Sequence, residues 1–332
     1  MSSAREIVVA DIGGTHARFA LAEIADGALR TMSEPVKMSA ADHGSLQIAW
    51  EAYAEHCGAP LPDAAAIALA APIRGDLIKL TNNPWIVRPA LIKEKLGVSD
   101  YILINDFEAQ AFAVAHATDD EFHHVTGPQG PLPHEGVTSI IGPGTGLGVA
   151  AMLRKDGRIH VLPTEGGHID FAPLDSIEDR ILAHLRKQHT RVSVERVVAG
   201  SGLRAIWEVL SEMEARDPPM GRDKELWTTA LTGKDSIASA ALDRFCMALG
   251  SVAGDIALTH GPGPVVLAGG LGARLKSHLN SSGFADRFVA KGRYRSLMET
   301  IPVKLIGLEE PGLVGAALSF AEAQNRQKAL KF

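Results

Sequence analysis

Apolar residues along the chain form short runs rich in β-branched side chains, and these runs alternate with stretches in which apolar residues recur at helical spacing. In the first third of the chain, strands are predicted at residues 6–12, 17–24, 64–72 and 101–104, and helices at residues 45–57, 89–97 and 105–117. Asp26-Gly27 supplies a turn signal toward a further strand. Alternation of this kind is typical of an α/β sheet.

The same theme begins again in the second part of the chain. Residues 137–163 predict three strands, joined first by a glycine-rich turn and then by an Asp156-Gly157 hairpin. Further on, helical structure is predicted at residues 176–231, with breaks at 200–202 and 218–219, and a long helix at 235–261. Residues 264–275 predict a strand, a glycine turn and the start of a helix. A strand at 301–307 and a helix at 311–326 follow. No low-complexity linker separates the halves, and residues 117–136 are the expected crossing point.

Composition narrows the function classes. The 332 residues are 46% apolar and 22% charged, which suits two folded domains rather than disorder. A formal net charge of -6 argues against a nucleic-acid binder. The two cysteines are isolated, so neither a zinc site nor a disulfide framework is expected. The N-terminus lacks a signal-peptide pattern, and the longest apolar stretch, at 64–72, is too short to span a membrane; we therefore expect a cytoplasmic protein.

Three glycine-rich turns follow predicted strands. In the first, adjacent Gly13 and Gly14 permit positive φ and close approach of backbone N–H groups to an anion, and Asp11 can hold Mg²⁺. An ordinary tight hairpin with a capping aspartate explains this turn as well. The second, residues 142–148, has four glycines and a threonine, which a phosphate cradle explains better than a plain hairpin. The third, residues 269–272, indicates either close approach to a nucleotide or helix–strand packing.

Two other nucleotide-binding motifs do not describe this sequence. Gly146, Gly148 and Ala151 satisfy a loose dinucleotide-binding pattern, but that pattern must open a helix, and here two strands are predicted after it. No P-loop pattern is present in the sequence.

Six motifs together resemble the bacterial glucokinases, members of the actin, sugar kinase and Hsp70 ATPase superfamily. They are DIGGT at 11–15, INDFEA at 104–109, GPGTGLG at 142–148, EGGHIDF at 165–171, ERVVAGSG at 195–202 and VVLAGG at 265–270. TNNPW at 81–85 and PGLVGAA at 311–317 strengthen the resemblance. The sequence departs from the family at His16, where asparagine is usual, and it lacks the cysteine-rich zinc motif of the related ROK group.

The resemblance implies an α/β, two-lobed actin-like ATPase fold of the ribonuclease H-like type with a central cleft. Its domains would be residues 1–116 plus 309–332 and residues 117–308. It also implies ATP- and Mg²⁺-dependent phosphorylation of the 6-hydroxyl of D-glucose to glucose 6-phosphate, as in glycolysis. A homodimer is expected by the same resemblance, with the apolar helix around residues 237–258 as a candidate contact. A kinase for another hexose or an N-acetylhexosamine, and a non-catalytic sugar sensor, remain the alternatives.

Asp106 follows a predicted strand and precedes a predicted helix, where open α/β sheets place their ligands. A carboxylate there serves either as a helix N-cap or as a general base, and the roles can overlap. The resemblance makes Asp106 the base that accepts the proton of the glucose 6-hydroxyl. Beside it, Asn105 can both donate to and accept from a sugar.

The other sugar-binding candidates depend mainly on the resemblance. Paired glycines permit a bend that lets Glu165 and His168 approach one site, and a metal pair is the rival interpretation. Glu195 would otherwise be a solvated helix charge, and Asn82 a turn cap before Pro84. The expected nucleotide-binding residues are Ala10, Asp11, Ile12, Gly13, Gly14, Thr15, Gly142, Gly144, Thr145, Gly146, Gly269 and Gly270.

Overall fold

The computed structural model describes residues 4–329, with side chains from residue 4 to residue 326. The strands are β1 (Arg5–Ile12), β2 (His16–Ala25), β3 (Ala28–Met32), β4 (Val36–Ser39), β5 (Ala64–Leu69), β6 (Ile78–Lys79), β7 (Ile86–Val87), β8 (Asp100–Asn105), β9 (Phe122–Thr126), β10 (Gly136–Pro143), β11 (Leu147–Lys155), β12 (Arg158–Thr164), β13 (Val265–Leu267) and β14 (Val303–Ile306). The helices are α1 (Leu46–Cys57), α2 (Ile92–Leu96), α3 (Asp106–His116), α4 (Ser176–Arg186), α5 (Gly202–Met213), α6 (Asp223–Leu231), α7 (Ser236–His260), α8 (Gly269–Arg274), α9 (Lys276–Leu279), α10 (Phe284–Val289), α11 (Arg295–Met298) and α12 (Pro311–Ala329).

The chain divides into two units, Met1–Ala117 with Leu308–Phe332, and Thr118–Gly307. The first contains a six-stranded sheet in the order β3-β2-β1-β5-β8, with β4 also paired to β2. Strands β1, β5 and β8 are parallel, whereas β1 and β2 form an antiparallel hairpin. Every residue of β5 is buried, because this sheet is covered on both faces. Trp50 and Tyr53 of α1 pack on one side, and Phe320 of α12 packs on the other.

The second unit repeats this arrangement with a sheet in the order β12-β11-β10-β13-β14-β9. Strands β10, β11 and β12 are antiparallel, and β10, β13 and β14 are parallel. Helix α7 is the central helix of this unit and packs against α5, α6 and α10. By length and composition α7 could cross a membrane, but its most apolar window is 72% buried inside the protein, as in the core helix of a folded domain. Most apolar residues of α7 are buried in the core of its own unit, and its contribution to a dimer contact stays a prediction.

Most predicted elements are confirmed, including all four long strands of the first third and the three-strand segment at residues 137–163. The prediction missed β9, which lies within the expected crossing segment. Its sequence, FHHVT, has little apolar character, and it is held by pairing with β14, whose sequence lies far along the chain. Short helices α9 to α11 were also missed, since four to six residues carry no clear periodicity.

Helices α3 and α12 cross at a contact that only glycine allows. A Cβ added at Gly315 would lie 1.7 Å from the carbonyl oxygen of Ala109, which is backbone and cannot move aside as a side chain would. The two helices can therefore approach closely, and α12 can lie on the sheet of the first unit.

We expect Gly315→Ala to destabilise the protein by about 1–3 kcal/mol, because the added methyl group forces α3 and α12 apart. Guanidinium chloride unfolding followed by circular dichroism measures the loss. Gly272→Ala in α8 is the matched control, because a Cβ there meets only Leu305 at an ordinary 3.6 Å. Equal stabilities of the two variants would contradict this account of the contact.

Candidate functional site

The first glycine turn joins β1 to β2 and is closed by a hydrogen bond of 2.9 Å from the N–H of Gly13 to the carbonyl of His16. The prediction of positive φ at Gly13 and Gly14 is wrong, because neither glycine is among the residues with positive φ. Close approach explains Gly14 instead. A Cβ there would lie 3.1 Å from Cβ of Asn82, tighter than most real contacts.

The TNNPW segment, residues 81–85, packs on this turn through Asn83. The Asn83 amide donates to the carbonyl of Gly13 at 3.2 Å, and its oxygen accepts from the backbone N–H of Trp85 at 2.9 Å. Asn83 is buried, so both bonds are shielded from water. The turn-stabilising role considered for Asn82 therefore belongs to Asn83, which the sequence prediction missed although it directly precedes Pro84. Asn82 lies beside Gly14 with a φ of 59°, and its predicted contact with a sugar stays a prediction.

Asp11, the next-to-last residue of β1, lies beside Arg18 and Glu310, and its carboxylate is only partly paired. Nη1 of Arg18 lies 3.4 Å from Oδ2 of Asp11, and Nε of Arg18 lies 2.9 Å from Glu310. Burial raises the pKa of the Asp11 carboxyl; Arg18 opposes this shift and Glu310 adds to it. Arg18 could have been predicted, because it pairs directly with Asp11 across the hairpin. Glu310 carried no local signal.

The approach of α12 to Asp11 is close. A Cβ at Gly312 would lie 2.8 Å from Oδ2 of Asp11, so the first turn of α12 meets the carboxylate without a side chain between them. Glu310, just before the helix, has a φ of 46°, which is strained for a residue other than glycine. Strain at this point is consistent with a functional site, since the surrounding contacts must hold it in place.

The chemistry around Asp11 fits magnesium bound together with phosphates. Mg²⁺ takes oxygen ligands and usually keeps several waters, so one or two protein carboxylates suffice when a nucleotide supplies the rest. Among residues 4–326, no group of three or more His, Cys, Asp or Glu side chains could hold a metal alone. A single carboxylate beside a backbone turn is the donor set that such shared coordination needs. Asp11 as the magnesium ligand stays a prediction.

Asn105 and Asp106 lie where β8 ends and α3 begins. Asn105 is the N-cap: its oxygen accepts from the N–H groups of Phe107 at 2.9 Å and Glu108 at 3.3 Å, and its amide donates to the carbonyl of Ala71 at 3.1 Å. The N-cap interpretation of Asp106 is therefore wrong, and Asp106 is the first helical residue. The positive end of the helix still favours its ionised form. Asn105 has one amide hydrogen left for a ligand.

Backbone hydrogen bonds bring these first-unit residues to one edge of the sheet. The N–H of Ala70 donates to Ile12, and the carbonyl of Ala71 accepts from Asn105, so residues 70–71 link the first turn to the start of α3. Because β1, β5 and β8 are parallel, their carboxyl ends meet there, as expected for a ligand site in an open sheet.

The second unit brings the other two glycine turns into contact. Within the second turn, the N–H of Gly144 donates to the carbonyl of Gly146 at 2.8 Å. Gly269 has a φ of 78°, so the third turn does need glycine, and a Cβ there would lie 3.1 Å from the carbonyl oxygen of Pro143. The helix that follows, α8, begins at Gly269. Both turns can thus present backbone to one ligand.

The EGGHIDF and ERVVAGSG segments of the second unit lie against the second turn. Glu165 and His168 flank a 3-10 turn, with their side chains 3.9 Å apart and more than half exposed. Arg191 donates to the carbonyl of His168 and holds this turn. Glu195 lies in another 3-10 turn, not on an α-helix, and its Oε2 accepts from the N–H of Leu147 at 2.9 Å. Its interpretation as a solvated helix charge is therefore wrong.

The model of the Glucokinase family matches residues 8–323, which include every motif described above. The chain is 54% identical over 316 residues to the glucokinase of Zymomonas mobilis, covering 95% of this chain and 98% of that protein. The chain belongs to the glucokinase family. As a member it is a sugar kinase, and the resemblance inferred from the motifs is confirmed.

Solved structures confirm the two-lobed actin-like ATPase fold of the glucokinase family. A glucokinase from an Antarctic psychrotroph superposes with a TM-score of 0.80 at 32% identity, covering 96% of this chain and 99% of that one. A ROK family glucokinase from Streptomyces griseus, solved with glucose and AMPPNP, has a TM-score of 0.62 at 18% identity and covers 97% of this chain and 100% of that one. At that identity the second likeness supports the fold alone.

His16, the departure from the usual glucokinase pattern, lies at the start of β2 beside basic residues. Partial burial, first, and then the charges of Lys37 and Arg18 lower the pKa of His16 below its usual value. A neutral imidazole at this turn can accept or donate one hydrogen bond, as the usual asparagine can.

Asp11→Asn should raise the melting temperature in magnesium-free buffer at pH 7, even though it removes a predicted metal ligand. Because its pKa is raised, the Asp11 carboxyl binds its proton more tightly in the folded protein than in the unfolded chain. The free energy of unfolding therefore falls as pH rises from 3.8 through the folded pKa, and it stays lower above that pKa. The neutral amide of asparagine avoids the cost of burying a charge, and the gain in melting temperature should shrink as pH approaches 3.8.

Differential scanning calorimetry in EDTA across this pH range provides the measurement. Asp120→Asn is the control of opposite sign, because hydrogen bonds, chiefly from Thr118, lower the pKa of Asp120. That variant should not gain stability at pH 7. A melting temperature for Asp11→Asn below that of the wild type at every pH would refute the argument.

Proposed function

We propose that the protein transfers the γ-phosphoryl group of ATP to the 6-hydroxyl of D-glucose, giving glucose 6-phosphate and ADP, with Asp106 as the general base. The single observation that carries the assignment of the base is the start of α3: Asn105 is the N-cap, and Asp106 is the first helical residue, with its Oδ1 accepting from the N–H of Phe107 at 3.0 Å. The family to which the chain belongs supports glucose as the substrate.

Asp106 has the environment that a base for an alcohol needs. A hydroxyl does not lose its proton spontaneously at neutral pH, so an ionised carboxylate within hydrogen-bond reach must accept it as the bond to phosphorus forms. Asp106 is half-buried, lies at the carboxyl edge of the sheet and is held at the positive end of α3. The proton passes from the sugar oxygen to Asp106, and the oxygen takes the phosphoryl group as ADP leaves.

Phosphate binding is assigned to the three glycine turns, whose expected donors are backbone N–H groups and the hydroxyls of Thr15 and Thr145. Magnesium, held by Asp11 and the phosphates, would neutralise charge on the transferring group. The AMPPNP complex of the Streptomyces griseus relative is consistent with ATP as the phosphoryl donor.

Sugar recognition is assigned to Asn82, Asn105, Asp106, Glu165, His168 and Glu195. A polyol offers a donor and an acceptor at each carbon, and sites that hydrogen-bond a hydroxyl strongly disfavour analogues that lack it. The exposed Glu165 and His168 lie close enough to bind neighbouring hydroxyls. A cytoplasmic homodimer is part of the same proposal and follows from the family alone.

Turnover measured over a matrix of sugars and phosphoryl donors is the direct test of this function. Purified protein is assayed with glucose, mannose, fructose and N-acetylglucosamine, each against ATP, ADP and polyphosphate. We expect the highest kcat/KM for glucose with ATP. Faster turnover of another sugar would move the assignment to a different hexose kinase, and tight glucose binding without product would identify a sugar sensor.

Asp106→Asn should lower kcat with glucose by about a hundredfold or more, because the amide cannot accept the proton. Glucose affinity should change little, since an amide still hydrogen-bonds a hydroxyl. Glu108→Gln is the matched control, because Glu108 lies two residues after Asp106 on the same helix and burial raises the pKa of its carboxyl. It should retain turnover near the wild-type value. Near-normal kcat in Asp106→Asn would remove Asp106 from the base role.

A further inference from the structure

The backbone of Leu147 lies at the point where the second glycine turn meets both predicted sugar motifs of the second unit. Its N–H donates to Oε2 of Glu195 at 2.9 Å. Its carbonyl oxygen lies against Gly167, where an added Cβ would come within 2.1 Å. Leu147 itself is buried, and it lies within the turn that the proposed function assigns to phosphate. The predicted sugar-binding segments therefore contact Leu147 at both its N–H and its carbonyl.

The same contact explains why residue 146 is a glycine. A Cβ on Gly146 would lie 2.4 Å from Oε2 of Glu195, inside any allowed separation. Gly146 does not have positive φ, so backbone conformation does not require glycine there. The glycine is needed because a carboxylate is packed against the turn. This accounts for one of the four glycines of the motif without any reference to nucleotide.

The internal hydrogen bonds of the turn leave few donors for a phosphate. The N–H of Gly144 is used by the carbonyl of Gly146, and that of Leu147 by Glu195. Within the part of the chain that the structure describes, the N–H groups of Thr145 and Gly146 have no protein acceptor. Two consecutive N–H groups with the hydroxyl of Thr145 form a small anion-binding concavity.

The opposite side of the turn is also supported. The carbonyl of Gly144 accepts from the N–H of Gly200 at 2.8 Å, and the carbonyl of Gly200 accepts from the indole of Trp227 at 2.7 Å. Trp227 is buried in the core of its unit. The turn is therefore held at Gly144 by the ERVVAGSG segment and at Leu147 by Glu195, which begins that segment. Only the Glu195 contact depends on a residue that is also predicted to bind sugar.

We propose that Glu195 is a positioning residue for the phosphate turn as well as a sugar ligand. Oε2 holds the N–H of Leu147 and so orients the N–H groups of Thr145 and Gly146 for the nucleotide, which leaves Oε1 for the sugar. Nucleotide affinity then depends on Glu195 even when no sugar is bound. This inference rests on the proposed function, since it assumes that the second turn binds nucleotide phosphates.

The test compares Glu195→Ala with Glu195→Gln by isothermal titration calorimetry of Mg-AMPPNP in the absence of sugar. Alanine removes the acceptor for Leu147, and the nucleotide Kd should rise about tenfold or more, as expected for loss of a hydrogen bond to a charged group. Glutamine keeps an acceptor oxygen and should bind nucleotide within about threefold of wild type. Glucose affinity should fall in both variants, because glutamine does not reproduce the carboxylate toward the sugar.

Gly146→Ala tests the same contact from the turn side, and also applies if Glu195→Ala does not fold. Its methyl group displaces Glu195, so Mg-AMPPNP affinity should fall. In the double variant with Glu195→Ala the methyl group has room, and the two losses should be less than additive. Circular dichroism and the melting temperature establish that each variant is folded.

The outcomes separate the two proposals. A wild-type protein that does not bind Mg-AMPPNP would overturn the proposed function and this inference together. Wild-type binding with unchanged nucleotide affinity in Glu195→Ala would overturn the inference alone. Equal nucleotide losses in Glu195→Ala and Glu195→Gln would also overturn it, because the retained acceptor would then have no effect. The alanine-specific loss, with glucose affinity lowered in both, is the result that supports it.

Discussion

Close approach of backbone to polar groups is the constraint on which the glycine turns of each unit depend. At Gly146 a carboxylate, at Gly167 a carbonyl and at Gly312 the Asp11 carboxylate occupy the space that a side chain would need. Positive φ is required at Gly269 but not at Gly13, Gly14 or Gly146. Glycine is therefore needed at these positions mainly for the space that it leaves empty, and the proposed binding of an anion by peptide N–H groups depends on that space.

The arrangement of charged residues around Asp11 lowers the stability of the folded protein. Asp11 is buried with only a partial ion pair to Arg18, and Glu310 competes for the same guanidinium. Burial dominates, so the carboxylate is less stable in the folded protein than in water. A cation bound at Asp11 would relieve that cost. Poorly satisfied charge together with the strained backbone at Glu310 is the pattern expected where a structure is built for binding rather than for stability.

Several groups around the predicted site hold the backbone of the turns in place. Asn83 and Asn105 donate to the carbonyls of Gly13 and Ala71, and the backbone of Gly200 joins Gly144 of the second turn to the indole of Trp227. Glu195 holds the second turn through one oxygen, which accepts from the N–H of Leu147, and the proposed function assigns it to sugar binding as well. The ERVVAGSG motif therefore supports both ends of the second turn, because Gly200 bonds to Gly144 and Glu195 bonds to Leu147.

Local pattern determined the strands, the glycine turns, the order of the motifs and the junction of Asn105 with Asp106, because apolar periodicity and turn chemistry act over a few residues. Tertiary structure decided which of neighbouring residues does which work: Asn83 rather than Asn82 braces the first turn, and Asn105 rather than Asp106 caps α3. It also placed Glu310 beside Arg18 and paired β9 with β14. These contacts join residues far apart in the chain, and their distances follow from the packing of the sheets and helices, which no local pattern contains.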